Sequence, residues 1–179
     1  MRNKSPLTLY AFLFSICISL FSITETIAQE NGIYELNESN SFSSDVSRSS
    51  ENSNKNKKGD REHFYNLIYK QHPTSYVGNN VIKKYKDNSL VSKLTFNDTK
   101  SFNLLNQNNS EFNSIELITV VLNNPNDLNS KLDLTEISGL NSLKYILIKC
   151  YFECSKQQIK EFVNTDSNVR VFYKNEIPS

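Results

Sequence analysis

Beyond residue 90 the chain alternates aliphatic clusters with polar stretches. Residues 91–96, 115–122, 143–150 and 169–173 are rich in Val, Ile, Leu and aromatic side chains and read as β-strands. Upstream the period changes. Phe64, Leu67 and Ile68 stand at i, i+3 and i+4 behind Asp60, a good N-cap, so residues 61–71 read as an amphipathic helix. His72-Pro73 ends it, because the residue before a proline is pushed out of the helical region. Residues 73–80 carry turn formers and read as a loop.

Strand side chains alternate between two faces, so each strand divides into two sets. Ile118, Val120, Ile146, Ile148 and Val171 form one set. Leu117, Val121, Tyr145, Leu147 and Phe172 form the other, and they too are large and apolar. Both faces must therefore be covered. One cover is the helix bearing Phe64, Leu67 and Ile68. The other is a protein partner, since exposed apolar patches mark interaction sites. The second set is thus the candidate interaction face.

The strands recur at a near-constant period. With Leu94, Ile118, Ile146 and Val169 as equivalent points, the spacings are 24, 28 and 23 residues. Ile115, Ile118, Val120 and Asn123 fill the pattern L-x-x-L-x-L-x-x-N, and Leu143, Ile146 and Ile148 fill it until Tyr151. Val91, Leu94 and Phe96 fill it with Thr99 in the Asn slot, and Val169 and Val171 keep part of it. Ile137, Leu140, Leu143 and Ile146 step by three, as where a short helix leads into a strand. Over residues 88–175 the chain therefore resembles a short, degenerate leucine-rich-repeat array. The resemblance implies an α/β fold: a parallel-sheet repeat array with inward aliphatics in one continuous core. It also implies that Asn123 is buried at its strand end, where it satisfies backbone groups of the adjacent turn.

The amino-terminal third has a different character. Arg2 and Lys4 precede an uncharged apolar run over residues 7–23, and Thr26 and Ala28 place small residues before a cut at Gln29. This is the three-part pattern of a secretory signal, so residues 1–28 read as a signal peptide, with an uncleaved anchor as the alternative. Ile16 stands before Cys17 where a lipoprotein signal carries a small residue. Residues 29–60 are almost all Ser, Asn and charge and read as a disordered linker, with one apolar island at Ile33, Tyr34 and Leu36 that suits a docking strand. Residues 61–179 then form the α/β domain.

Composition narrows function mostly by exclusion. Twenty Lys and Arg against 19 Asp and Glu leave a net charge of +1, with no general pull toward nucleic acid or anionic membrane. Lys83, Lys84 and Lys86 around Tyr85 make a small basic patch that reads as a solvated face. His63 and His72 lack partners at metal-ligand spacing, and Asp133 and Glu136 fall on a turn where capping accounts for them. Phosphate-binding and nucleophile motifs are missing from the chain. No catalytic, cofactor-binding or metal-binding set is predicted. Asn37, Asn97 and Asn108 begin glycosylation triplets.

The cysteines are the most specific local feature. Cys150 and Cys154 close a strand and open a helix, where Ser155 and Gln158 form a capping box. In an exported protein the pair suggests a disulfide. Metal binding or redox exchange by the same thiols is the alternative. The chain therefore reads as an exported, noncatalytic protein-interaction module in a periplasmic, extracellular or cell-surface setting. The rival readings are an envelope redox or metal accessory using Cys150 and Cys154, and an inhibitor- or immunity-like binder of an exported enzyme.

Overall fold

The computed structural model describes residues 32–36, 54–84, 90–107 and 109–177. The segment read as a signal peptide, most of that read as a linker, Tyr85, Lys86, Asn37 and Asn108 lie outside the described residues. In chain order the elements are β1 (Ile33–Glu35), α1 (Asn54–Tyr69), β2 (Thr74–Gly78), β3 (Val81–Lys84), β4 (Lys93–Phe96), β5 (Leu117–Leu122), β6 (Leu132–Asp133), β7 (Tyr145–Cys150), α2 (Lys156–Phe162), β8 (Val163–Asn164) and β9 (Arg170–Asn175). Short 3-10 helices at Thr99–Asn106, Ser110–Ser114 and Pro125–Asn129 fill the connections.

The fold is mixed α/β around a seven-stranded sheet of order β1-β9-β7-β5-β4-β2-β3. Every neighbour pair is parallel except the β2–β3 hairpin. The four strands read from the pattern are all present, and β4, β5, β7 and β9 lie side by side in chain order. Leu94 pairs with Ile118, Ile118 with Ile146, and Ile146 with Val171. The last equivalent point is therefore Val171 and not Val169. Val169 is a buried residue of the turn before β9, where its N–H donates to the Asp166 carbonyl at 3.1 Å.

One face of the sheet carries the main core. Leu94, Phe96, Ile118, Val120, Ile146, Ile148 and Val171 meet Leu104, Phe112, Leu132, Ile159 and Phe162 from the connecting segments. A two-stranded parallel pair, β6 with β8, ties two of those connections together and contributes Leu132 and Val163 to this core. The predicted helix ahead of β7 is instead a run of turns: the Ile137 N–H donates to the Leu134 carbonyl and that of Leu143 to the Leu140 carbonyl, at 3.3 and 3.1 Å. Side chains still step inward every three residues without a continuous helix, with Leu134 and Leu143 buried and Ile137 and Leu140 against the core. Asn123 is exposed, not buried. Its amide makes only a long 3.5 Å contact to the Asn97 carbonyl, while its N–H donates to Asp127 at 2.8 Å. Asp127 serves the turn after β5, so no buried Asn is needed there.

Three readings near the amino terminus change. First, Ile33–Glu35 is strand β1, parallel to β9. Ile33 enters the main core, Tyr34 packs on Phe172 at 5.4 Å, and the Leu36 N–H donates to the Tyr173 carbonyl at 2.8 Å. The apolar island within the polar segment is thus a docked strand; three apolar side chains suffice where a sheet edge offers free backbone groups. The compact unit accordingly spans Asn31–Ser179, not residue 61 onward. Second, α1 starts at Asn54, so Asp60 lies inside the helix and does not cap it. Its first turns are polar and show no apolar period; docking of the later apolar face stabilises the whole segment.

Third, residues 73–80 are mostly strand. Thr74–Gly78 and Val81–Lys84 form a hairpin about Asn79 and Asn80, with φ of 52° and 57°. A two-residue loop with both central residues left-handed matches strand twist, and Asn tolerates that region. The Asn79 N–H donates to Asp98 at 2.7 Å and that of Asn80 to Ser101 Oγ at 2.9 Å. Lys83 and Lys84 lie on this exposed edge strand, where charge discourages further pairing.

Candidate functional site

The second sheet face is divided. Toward β9, β7 and the start of β5 it is sealed by α1. Phe64 stacks on Phe172 with ring centroids 3.9 Å apart and lies 5.0 Å from Tyr145. Leu67 completes a cluster with Leu117, Tyr145, Leu147 and Phe172, and Ile68, Tyr34 and Leu36 pack against it. Leu117, Tyr145, Leu147 and Phe172 are thus core residues beneath the helix. Of the predicted interaction face only Val121 lies outside this cluster, half-buried.

Two polar clamps fix the helix. Asp60 accepts hydrogen bonds from Tyr145 Oη and the Arg170 guanidinium. His63 Nε2 meets Glu116 Oε2 at 2.7 Å, and Lys144 Nζ donates to the same oxygen at 2.7 Å. Burial, with the adjacent Asp60 charge, pushes the Tyr145 hydroxyl far above its ordinary range. Burial works against the Glu116 charge, but the hydrogen bonds from Lys144 and His63 outweigh it and hold that carboxyl below its usual range. His72 is also structural: its Nε2 lies 3.2 Å from both the carbonyl and side-chain oxygens of Asn66.

Toward β4, β2 and the carboxyl ends of the central strands, the same face is polar and half-open. Strand alternation and register place Tyr76, Lys93, Thr95, Thr119, Val121 and Lys149 on it. Tyr76 is 44% exposed, whereas Thr119, near the middle of the sheet, is only 6% exposed. Lys93 is half-buried and has no ion-pair partner among the described residues. Desolvation, and then the nearby Lys149 charge, hold its ammonium below the ordinary lysine range. Lys149 and Lys174 share Glu176 Oε1, each at 3.4 Å. The sequence pattern missed this half because its residues are mostly polar, and only register shows that they share a face.

Cys150 and Cys154 form a disulfide with Cα atoms 6.3 Å apart. Both are buried, and Asn175 brackets Cys154 by accepting from its N–H at 3.0 Å and donating to its carbonyl at 3.2 Å. The predicted capping box is present: Gln158 N–H donates to Ser155 Oγ at 3.3 Å, and Ser155 N–H to Gln158 Oε1 at 2.8 Å. Asp133 accepts from Thr135 and Asn164, as a turn-capping carboxylate does. Among the described residues no three His, Cys, Asp or Glu side chains gather as a metal site, and no helix is long and apolar enough to cross a membrane. No protein-family model, curated protein or solved structure matches the chain.

Proposed function

We propose that the chain is an exported, noncatalytic protein-interaction module of leucine-rich-repeat-like build, which binds its partner on the open half of the second sheet face. The division of that face carries the reading. α1 seals the apolar part, and what remains is a half-open surface of Tyr76, Thr95, Val121 and lysines outside the α1 cluster. In a fold of sequential parallel strands whose connections pack on one side, the opposite side is the natural binding surface. The spacings of 24, 28 and 25 residues between Leu94, Ile118, Ile146 and Val171, all neighbours in the sheet, support the repeat-like build. The buried, bonded sulfurs of Cys150 and Cys154 favour a structural role over thiol exchange, which needs an accessible thiolate.

Export rests on the sequence pattern of residues 1–28, and amino-terminal sequencing of the native protein should find Gln29 first. Binding is tested by recovery of the partner from native extract. Tyr76→Glu and Val121→Glu should abolish recovery with the fold intact, and Lys156→Glu on α2 should not. Recovery indifferent to both face substitutions would move the binding surface elsewhere.

A further inference from the structure

We propose that the open sheet face takes an acidic peptide segment of a protein partner, with a carboxylate seated over Thr119 between Lys93 and Lys149. The inference rests on the binding-module reading above and adds the chemistry of the partner.

The register places the site. Thr119 on β5 is flanked across the strands by Thr95 on β4 and Leu147 on β7. Lys93 lies one row toward the amino ends of the strands, and Lys149 one row toward the carboxyl ends. All of them except Leu147 are polar, in a sheet whose other central positions are almost entirely aliphatic. Lys93 on β4 and Lys149 on β7 stand two strands apart, one row to either side of the nearly buried Thr119, and the Lys149 charge disfavours the half-buried Lys93 ammonium. Their mutual repulsion is costly in a partly desolvated setting. Glu176 offsets charge at Lys149 but forms no ion pair with Lys93. An entering carboxylate relieves that repulsion and gains charge-assisted hydrogen bonds from both ammonium groups.

Size and composition choose among anions. Nucleic acid binding at useful affinity neutralises about 6–10 phosphates, and a lipid-binding basic cluster needs about 4–8 Lys or Arg. This face offers Lys93, Lys149 and the Glu176-bridged Lys174, within a chain of net charge +1. That suits one or two carboxylates. Tyr76 and Val121 supply apolar contact for the intervening side chains of an extended peptide, which a polyphosphate would not use.

The test is fluorescence anisotropy of a labelled peptide of alternating Glu and Gly, titrated with the full chain at low salt. Binding should weaken with added salt and fall about fivefold or more in Lys93→Gln/Lys149→Gln, the loss of roughly 1 kcal/mol of partly buried ion pairing. Lys93→Arg/Lys149→Arg should retain it. Lys131→Gln/Lys156→Gln, which removes the same charge elsewhere, should leave it within about twofold, as exposed charges on a screened surface do. No binding, or equal losses in both Gln pairs, overturns the proposal. So does a heparin fragment that outcompetes the peptide and shows the same dependence on Lys93 and Lys149. If Tyr76→Glu abolishes partner recovery while Lys93→Gln/Lys149→Gln leaves it intact, the face binds but its partner is not acidic. If neither variant affects recovery, the binding-module reading itself fails.

Discussion

Arg170 on β9 donates to the carboxylate of Asp60 on α1, a residue 110 positions earlier in the chain. Local sequence reads Asp60 as a helix cap, yet the folded protein uses it to anchor the helix, with Tyr145 Oη on the same carboxylate. Asp60→Ala leaves a partly exposed guanidinium and a buried phenol short of a partner and should cost about 1–2 kcal/mol in urea unfolding. Asp60→Ala and Arg170→Ala together should cost less than the sum of the two, as the partners share one interaction. Strict additivity would show that the clamp contributes nothing.

The lid makes a stronger prediction. Phe64 is 1% exposed and stacks on Phe172, so Phe64→Ala should destabilise by about 3–5 kcal/mol and increase binding of a hydrophobic dye. Tyr145→Glu should be at least as damaging, because it buries a carboxylate beside Asp60. Melting temperatures unchanged in both variants would mean that α1 does not cover this face.

The Cys150–Cys154 bridge closes a loop with a sequence separation of 4. Loop-closure entropy for so small a ring amounts to about 2 kcal/mol, so replacing both residues with Ser should cost that order and leave partner binding unchanged. Thiol titration of unreduced, denatured protein should find neither of these cysteines free. Two reactive thiols would return the metal and redox readings to consideration.

Stability should fall toward both ends of the pH scale. Burial, then the Glu35 charge, push the Tyr173 hydroxyl up to about 12, and Tyr145 is also raised. The folded state holds these protons more tightly than the unfolded chain, where tyrosine titrates near about 10. Their contribution is complete below about pH 10 and is lost as pH climbs toward 12. Lys93, lowered in the fold, works in the opposite direction. Glu116 is held below the carboxylate range, so its contribution is present above about pH 4 and is lost as acid protonates it. Urea midpoints across pH should show both slopes; Tyr173→Phe should flatten the alkaline one and Glu116→Gln the acid one. Slopes unaltered by either substitution would assign the dependence to other groups.

The asparagines show how far local signals reach. The chain has 25 of them, and several satisfy backbone donors at element ends. Asn109 and Asn124 cap 3-10 helices, and Asn79 and Asn80 make the β2–β3 turn. An Asn-Asn pair is a readable turn signal, but the strands on either side of it lack strong alternation and emerge only when β4 offers an edge. The equivalence of Leu94, Ile118 and Ile146 was legible because burial imposes alternation and the connections are similar in length. The pattern alone does not separate Val169 from Val171, because the two share a phase and register shifts by two keep every side chain on its face.

By itself the sequence determined the aliphatic strands, their order of recurrence, the capped helix after Cys154, the cysteine pair, and the need for a cover over Tyr145 and Phe172. These follow from local rules: alternation, capping chemistry and the cost of exposing large apolar groups. Only the tertiary structure decided that α1 is that cover, that Ile33–Glu35 adds a strand beside β9, and that Asp60 serves Arg170. It alone brought Lys93, Thr119 and Lys149 onto one half-open face of the sheet. Such outcomes depend on which distant backbone edge and which distant face become available once the central strands have paired, and a short window of sequence carries no record of those partners.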